Sequence, residues 1–363
     1  MSVTDTVTTP GSDPEPGTAP AATVGEYPPR SAGERMFRYG LGVLVAFAAL
    51  YAPFYFTPER NLLLSQALYL AVAAMGLNLL TGFNGQISLG HGAFFGVGAF
   101  TTAQLMVNEG WMFEATLPVA ALLSGLLGMA VAFPALRVRG LYLALVTLGL
   151  AIVFPQVADK YIKGQGGRAF VQPRLREFDS LLSGLENDQW KYFVCLAVLA
   201  VLALLSWNLM RSRTGRAMIA TRDHETAAAT VGVNLAATKV GTFAISAAYA
   251  GLAGSLSVMI DGFADATNPI VYFRISIEFL VAAVIGGVAT VTGPIVGAFL
   301  LVAVRRNSDQ LSEDETILAP AILGGALILI TYVMPDGVVG GLSRLSRRVR
   351  GFGGRRTTDR QQT

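Results

Sequence analysis

The stretch GFNGQISLGHGAFFGVGAF, residues 82–100, decides how this chain folds. It lies within residues 61–108, which contain no Asp, Glu, Lys or Arg, and it holds six glycines, a histidine and several amide and hydroxyl side chains. Glycine is a poor helix former, and polar groups are costly in hydrocarbon. The stretch therefore predicts a membrane segment that is broken or tightly packed, rather than a plain apolar helix.

The composition of the whole chain excludes an ordinary soluble domain. Of its 363 residues, 53% are hydrophobic and 14% are charged, whereas soluble domains carry about 25% charged residues. Uncharged apolar runs of about 20 residues are long enough to cross a membrane as helices. Cys195 is the single cysteine, so no disulfide framework is possible. The net charge of +3 comes from arginines beside apolar runs and does not indicate nucleic-acid binding.

Charge-free intervals give a first count of the spans. They are 39–58, 61–108 (long enough for two passes), 115–136, 140–158, 192–210, 240–260, 279–304 and 317–334. This count is nine, and it conflicts with the charges at the two termini. Basic residues favour the cytoplasmic side, and both the start (Arg30, Arg35, Arg38) and the end (343–363) are basic.

The segment 277–304 is the best place for an extra crossing, because Gly286-Gly287 and Gly293-Pro294 interrupt it. Two shorter helices, or a re-entrant pair, would restore an even count. We therefore predict an all-α polytopic transmembrane helix bundle with eight to ten membrane segments, some broken or re-entrant. Residues 35–342 would form it, between a disordered cytoplasmic tail at 1–34 and a basic, disordered cytoplasmic tail at 343–363.

Small residues and turn signals explain the glycines. Small residues let membrane helices approach closely, and Asn84-Gly85 is a turn signal. Non-helical backbone at membrane depth needs protein or a water-filled cavity around it. The residues predicted to pack helices or to break them are Gly92, Gly96, Gly286, Gly287, Gly293, Pro294 and Gly297.

Polar side chains near the glycines allow two interpretations. They are Asn78, Asn84, Gln86, Ser88 and His91. Polar residues in membranes usually face the bundle interior, where they can form hydrogen bonds between helices or line a translocation pathway. We take these five as pathway candidates. Asp261, Arg274 and Glu278 are expected at helix ends, as interfacial anchors.

Several motifs together carry a family resemblance. GLNLLTGFNGQISLGHGAFFGVGAF (76–100) resembles the signature of the permeases of branched-chain amino-acid ABC importers, in particular the LivM-type permease. RGLYLALVTLGLA (139–151), NPIVYFRISIEFLVAAVIGGVATVTGPIVGAFLL (268–301) and MPDGVVGGL (334–342) are similar to later family segments. The family commonly has Gly where Ala289 stands, and GQGGRAF (164–170) replaces a loop that often reads TGGSNGL.

The loop 213–246 resembles the coupling segment through which ABC importer permeases contact their ATPases. Its candidate coupling residues are Arg216, Arg222, Glu225, Ala227, Ala228 and Gly232, of which the last four match a loose E-A-A…G pattern. Residues 217–230 are rich in helix formers and predict one short helix, which Gly232 would end. An ordinary positively charged cytoplasmic loop is the alternative.

The resemblance implies a permease subunit that carries Leu, Ile or Val across the bacterial inner (plasma) membrane, with both termini cytoplasmic. Its implied partners are a second related permease, two cytoplasmic ABC ATPases, an extracytoplasmic substrate-binding protein and membrane lipid. The pathway is expected to carry no strong fixed charge. The sequence lacks a GxxxxGK[ST] phosphate loop, an HExxH zinc motif and a GxSxG elbow. We therefore expect no catalytic residue, metal, cofactor or nucleic-acid partner.

Alternative functions stay open on the sequence. The same importer type could carry urea, short amides or other amino acids. An ion-coupled secondary transporter would need intramembrane carboxylates, and every Asp and Glu is expected at or beyond the edge of a span. A passive channel would fit the glycines and leave the alanine-rich loop unexplained.

Overall fold

The computed structural model describes residues 32–137, 140–161, 168–170, 185–268 and 270–311, together with 324–325, 328, 332 and 337–341. The long helices are α1 (Ala32–Tyr55), α2 (Pro58–Asn78), α3 (His91–Asn108), α4 (Phe113–Ala135), α5 (Leu141–Tyr161), α6 (Asn187–Arg211), α9 (Leu235–Asp261), α10 (Val271–Gly286) and α11 (Gly293–Leu311). Two short helices, α7 (Arg213–Asp223) and α8 (Glu225–Thr230), lie between α6 and α9. Strands β1 (Arg168–Phe170) and β2 (Phe263–Asp265) form a small antiparallel ribbon.

The chain divides into two units, Met1–Tyr51 and Ala52–Thr363, at a boundary inside α1. In the first unit, the described part of α1 exposes apolar side chains such as Val43 and Phe47. Residues 1–31 and 342–363, which hold most of both predicted tails, lie outside the described residues. The predicted domain limits and the positions of the termini therefore stay predictions.

The second unit is built around two buried helices. Most residues of α2 and α9 are buried, whereas only a minority of the residues of α4, α5 and α6 are buried. Five described segments are long and apolar enough to cross a membrane: 58–83, 113–134, 142–160, 187–211 and 235–261. An apolar exterior around a buried helical centre suits a lipid environment. The all-α polytopic membrane fold is thus confirmed, and the number of crossings stays a prediction.

Local signals set both ends of the central helix α9. The Asn234 side chain caps its first turn by accepting a hydrogen bond from the amide of Ala237 at 3.0 Å. Gly262 ends the helix in the left-handed conformation, with φ 83°. The 27 residues between these caps span about 40 Å at 1.5 Å per residue. One helix therefore connects the two ends of the bundle.

Contacts between helices define those two ends. At one end, the Arg222 guanidinium of α7 donates to the Gly82 carbonyl, which follows α2. At the other, Asn61 in the first turn of α2 donates to the Asp188 carboxylate of α6 at 2.8 Å. We call these the coupling-loop end and the far end. Because Asp261 closes α9, it lies at the far end.

The helix pattern near residue 84 shows the expected break. After α2 the chain makes a π-helical turn, Leu79–Phe83, and residues 84–90 are not helical before α3 begins at His91. Gly85 has φ 74°, as the Asn84-Gly85 turn signal predicts. The Thr102 hydroxyl of α3 donates to Ser255 of α9 at 2.7 Å. This bond, with the one between His91 and Ser246, shows that α3 runs parallel to α9, toward the far end.

Residues 277–304 form parts of two helices rather than one span, as the even count required. Helices α10 and α11 are separated by residues 287–292. The interval 279–304 is therefore wrong as a single span. Its start is also wrong, because α10 begins eight residues earlier, at Val271. Gly337 lies against the backbone of Gly287, so the chain returns to this break near its C-terminal part. Most of the predicted span 317–334 lies outside the described residues.

The glycines predicted to pack helices lie where backbones approach. Side chains built at Gly92 and Gly297 would meet the carbonyl groups of Tyr272 and Ala282, both in α10. A side chain at Gly96 would overlap the Phe154 ring of α5. These contacts leave no room for a Cβ atom, which is the physical reason for glycine there.

The remaining residues of the predicted set surround the break between α10 and α11. A side chain at Gly286 would meet the Gly293 backbone, which allows the two helix ends to touch. Gly287 has φ 123°, a conformation that other residues rarely adopt. Pro294 is the second residue of α11, where its missing amide hydrogen costs no helical hydrogen bond.

Gly254 and Gly241, both in α9, provide a matched pair for testing close packing. A side chain at Gly254 would overlap the Phe95 carbonyl of α3, whereas one at Gly241 would meet nothing within 4 Å. We expect Gly254→Ala to destabilise the protein by about 1–3 kcal/mol through overpacking. Gly241→Ala should be neutral or stabilise by up to about 1 kcal/mol. Thermal unfolding in detergent measures both, and equal effects would contradict the packing interpretation.

Candidate functional site

Asn78 joins the two broken regions of the bundle. Its side chain is buried at the end of α2; it donates to the Thr290 carbonyl at 2.8 Å and accepts from the Ala289 amide at 2.9 Å. One amide side chain thus satisfies a donor and an acceptor of the non-helical backbone between α10 and α11. Such bonding is what broken backbone requires where water is absent.

Ala289 holds the strained backbone of this break. Its φ is 60°, the one positive value among the described residues other than glycine, and this conformation costs about 1–2 kcal/mol for an L-residue. The Thr290 hydroxyl donates to the Gly287 carbonyl at 2.8 Å and accepts from the Gly293 amide at 3.1 Å. The conformation explains why glycine would suit position 289.

His91 is fully buried at the start of α3, between two hydroxyl groups. Its Nε2 lies 2.6 Å from the Ser246 hydroxyl and its Nδ1 lies 3.0 Å from the Ser88 hydroxyl. Ser246 in turn donates to the Gly76 carbonyl of α2 at 2.6 Å. A neutral ring that donates from Nε2 and accepts at Nδ1 satisfies this whole chain. The geometry supports a role in packing α2, α3 and α9 together.

The other pathway candidates lie in the non-helical turn 84–90. Gln86 is buried and donates to the Lys239 carbonyl of α9 at 3.4 Å. Asn84 is also buried, and among the described residues neither atom of its amide has a hydrogen-bond partner. Buried amides without partners are rare. The assignment of Asn78, Asn84, Gln86, Ser88 and His91 to a pathway stays a prediction.

The candidate coupling loop contains two helices instead of the predicted one. Ser212 caps α7 by accepting from the Gly215 amide at 3.3 Å. The helix stops at His224, whose φ of −150° and ψ of 95° are extended, and α8 begins at Glu225. The single helix over 217–230 is therefore wrong, because one extended residue divides it.

Gly232 ends α8 as predicted. It has φ 87°, and its amide donates to the Ala229 carbonyl at 3.0 Å, while the Val233 amide donates to the Ala228 carbonyl at 3.0 Å. These two bonds form a Schellman motif, which requires a left-handed residue at the position of Gly232. The prediction of the helix end is confirmed.

Two side chains attach this loop to the bundle. The Glu225 carboxylate, in the first turn of α8, lies 2.6 Å from the Lys239 ammonium group of α9. The Arg222 guanidinium donates to the Gly82 carbonyl at 2.9 Å and also pairs with Asp223 at 2.8 Å. The loop is therefore in direct contact with both a central helix and the turn that follows α2.

The outer face of the loop is small and partly apolar. Ala227 and Ala229 are exposed, and Val231 exposes 79% of its surface. Ala228 is buried instead, on the inner face of α8. Arg216 is exposed and donates to the Arg211 carbonyl at 3.2 Å within the loop. Such a face suits docking against another protein.

A cavity of about 690 Å³ lies at the far end. Residues of α2, α3, α9, β2, α10 and α11 line it, and they include Asp261, Asp265, Arg274, Glu278, Arg305 and Arg306. The sequence predicts Glu278 at a helix end, and this prediction is wrong, because Glu278 lies at the middle of α10. A charge-rich cavity also differs from the uncharged pathway that we expect from the sequence. Hydropathy alone could not reveal it, because its charges come from separate helices.

Comparisons with known proteins agree with the sequence resemblance. A family model described as "Branched-chain amino acid transport system / permease component" matches residues 61–331. The permease LivM of Escherichia coli (strain K12) is 33% identical over 291 residues, covering 74% of this chain and 67% of the relative. LivH, a permease of the same organism, is 29% identical over 286 residues, covering 74% of this chain and 91% of LivH.

A more distant relative has a different name. LsrC of Escherichia coli O9:H4 (strain HS), an autoinducer 2 import system permease, is 27% identical over 247 residues. Those residues cover 65% of this chain and 66% of LsrC. No solved structure matches the chain.

The strain at Ala289 gives a second testable pair. Ala289→Gly should stabilise the protein by about 0.5–1 kcal/mol, because glycine adopts positive φ readily. Ala303→Gly, at an exposed position inside α11, should destabilise it by about 0.5–1 kcal/mol. Thermal unfolding in detergent distinguishes the two, and a loss of stability in Ala289→Gly would contradict the assigned strain.

Proposed function

The chain is a member of the branched-chain amino-acid transport permease family, and from this premise we propose that it is one permease subunit of an ATP-binding cassette importer for Leu, Ile and Val. A second related permease would complete the translocation path. Two cytoplasmic ATPases would supply the energy, since the sequence has no phosphate loop of its own. An extracytoplasmic binding protein would deliver the substrate.

The contact between Arg222 and Gly82 is the observation that carries this proposal. The exposed alanine face of α8 can dock in a groove on an ATPase, and α7 joins that face to the Arg222 guanidinium. The stem of Arg222 also packs over Gly85. Displacement of the loop would therefore pull directly on the turn between α2 and α3.

Through the same contact, movement of the loop can reach the broken helices inside the bundle. Gly82 lies against the Asn78 side chain and the Ala289 amide, so the turn after α2 and the break between α10 and α11 touch. ATP binding that favours one position of the loop would shift the population of bundle conformations. Substrate access would then alternate between the two ends.

Charge supports the proposed orientation. The loop 211–239 contains Arg211, Arg213, Arg216, Arg222 and Lys239, and short basic loops favour the cytoplasmic side. The coupling-loop end would then be cytoplasmic and the far end extracytoplasmic, in a bacterial inner membrane. With an even number of crossings, both termini would be cytoplasmic.

The identity of the substrate has a specific alternative. LivM and LivH are named for branched-chain amino acids, but LsrC is named for autoinducer 2 import. Membership of the family therefore does not specify the solute, and other amino acids, urea or short amides are the second candidate. An ion-coupled secondary transporter is a further alternative, which the proposed ATPase coupling opposes.

Uptake into proteoliposomes tests the function. The complex of this chain with its permease partner, ATPases and loaded binding protein should accumulate labelled leucine only with ATP in the ATPase compartment. Omission of the ATPases should abolish uptake, and liposomes without protein provide the background. Leucine uptake that follows an ion gradient without ATPases would contradict the proposal, and so would ATP-driven uptake of urea or another solute with none of leucine, isoleucine or valine.

Glu225 tests the docking of the loop. We expect Glu225→Lys to leave membrane insertion intact and to lower co-purification of the ATPases about tenfold, equivalent to about 1.4 kcal/mol. The new lysine would repel Lys239 and displace α8. Exchange of both charges, Glu225→Lys with Lys239→Glu, should restore much of the association by re-forming the pair.

The control for this experiment is Glu114→Lys, in the first turn of α4, because the nearby Thr116 donates to Thr102 of α3 toward the far end. It should co-purify with the ATPases at wild-type yield. Wild-type yield for Glu225→Lys itself would contradict the proposed docking.

A further inference from the structure

The cavity at the far end combines an apolar wall with charged groups of both signs. Leu70 of α2, Phe95 and Ala99 of α3, and Phe279 of α10 contribute buried apolar surface to it. Its volume of about 690 Å³ lies within the range of about 300–1,000 Å³ that is usual for small-molecule sites. The cavity can therefore hold a small amphiphilic solute.

The charges that line the cavity cancel. Three carboxylates (Asp261, Asp265 and Glu278) and three guanidinium groups (Arg274, Arg305 and Arg306) contribute to its wall. A lone cation or a lone anion could pair with only one of these two sets. A ligand that carries both charges and no net charge suits this lining.

Asp261 and Arg305 are the groups that a ligand can bridge. The Asp261 carboxylate interacts with the Gln66 and Tyr69 side chains and with the positive charges of Arg305 and Lys191. Even so, no basic nitrogen of the described residues lies within 4.0 Å of this carboxylate. Opposite charges that line one cavity without touching can each bind a different group of a ligand in that cavity.

Glu278 lies beside Arg305 without occupying all of the guanidinium donors. The Arg305 and Glu278 side chains are 3.7 Å apart, and Arg274 lies 3.9 Å from the same carboxylate. These separations are longer than the 2.7–2.9 Å of a strong charge-assisted hydrogen bond. A guanidinium group has five N–H donors, so Arg305 can bind a carboxylate as well.

We propose that this cavity is a binding site for a zwitterionic amino acid with an aliphatic side chain. Asp261 would bind the ammonium group, Arg305 would bind the carboxylate, and the wall formed by Leu70, Phe95 and Phe279 would hold the side chain. This proposal rests on the proposed function. The permease itself would then bind the substrate selectively, after the binding protein delivers it and before the path opens.

Binding to the assembled complex in nanodiscs, without the binding protein, tests this site. Labelled L-leucine should bind to the wild type, and unlabelled L-leucine should displace it. Two half-ligands, 4-methylpentanoate without the ammonium group and 3-methylbutylamine without the carboxylate, should displace it at least about tenfold less well. Each half-ligand lacks either the group that would bind Asp261 or the group that would bind Arg305, and tenfold corresponds to about 1.4 kcal/mol.

Variants identify the residues. Asp261→Asn and Arg305→Gln should each weaken leucine binding about tenfold, whereas Asp261→Glu should retain most of it. Glu114→Gln, at an acidic position of α4 that does not line the cavity, should bind like the wild type. If a variant fails to assemble, the displacement series on the wild type still decides the proposal.

Three results would overturn this site. They are absence of leucine binding to the wild type, equal displacement by the half-ligands, and unchanged leucine binding in both Asp261→Asn and Arg305→Gln. Weaker docking of the binding protein to Asp261→Asn, with unchanged leucine binding, would show that the cavity receives that protein instead.

The uptake assay separates failure of the site from failure of the proposed function. If one of these results is obtained while wild-type proteoliposomes still take up leucine with ATP, only the site is refuted. If they take up no branched-chain amino acid, the proposed function fails, and the site fails with it.

Discussion

Backbone groups that leave a helix inside a membrane have no water to bond to, so other parts of the protein must satisfy them. Asn78 does so for the break between α10 and α11, with one bond to the Thr290 carbonyl and one to the Ala289 amide. The turn after α2 touches the same place, because Gly82 lies against Asn78 and Ala289. Both broken regions therefore depend on one buried amide and on a glycine that lets the backbones meet.

This arrangement links the coupling loop to the interior of the bundle. Arg222 donates to the Gly82 carbonyl, and Glu225 pairs with Lys239 at the start of α9. The loop therefore contacts both the turn after α2 and a central helix. The helices themselves are held by tight glycine contacts, which deform little. Movement of the loop would then concentrate at the non-helical turn 84–90, where the Asn84 amide has no hydrogen-bond partner among the described residues.

The two ends of the bundle differ in chemistry. The coupling-loop end has a small-residue face with arginines beside it, which suits a protein partner, whereas the far end has a cavity that joins apolar walls to balanced charges. Helix α9 spans the distance between them, from Lys239 near one end to Asp261 at the other. The proposed substrate site and the candidate coupling loop thus lie at opposite ends of one helix.

The sequence by itself determined the membrane class, the break between Gly286 and Gly293 and the end of α8 at Gly232, because these follow from local composition and local conformational preference. Its motifs also pointed to the family that the comparisons support. Only the tertiary structure decided what the polar residues contact: Asn78 bonds to residues 211 and 212 positions away, and His91 to one 155 positions away. It also brought Asp261, Glu278 and Arg305 to one cavity. A hydropathy pattern depends only on residues that are adjacent along the chain, whereas the cavity depends on how separate helices pack against each other.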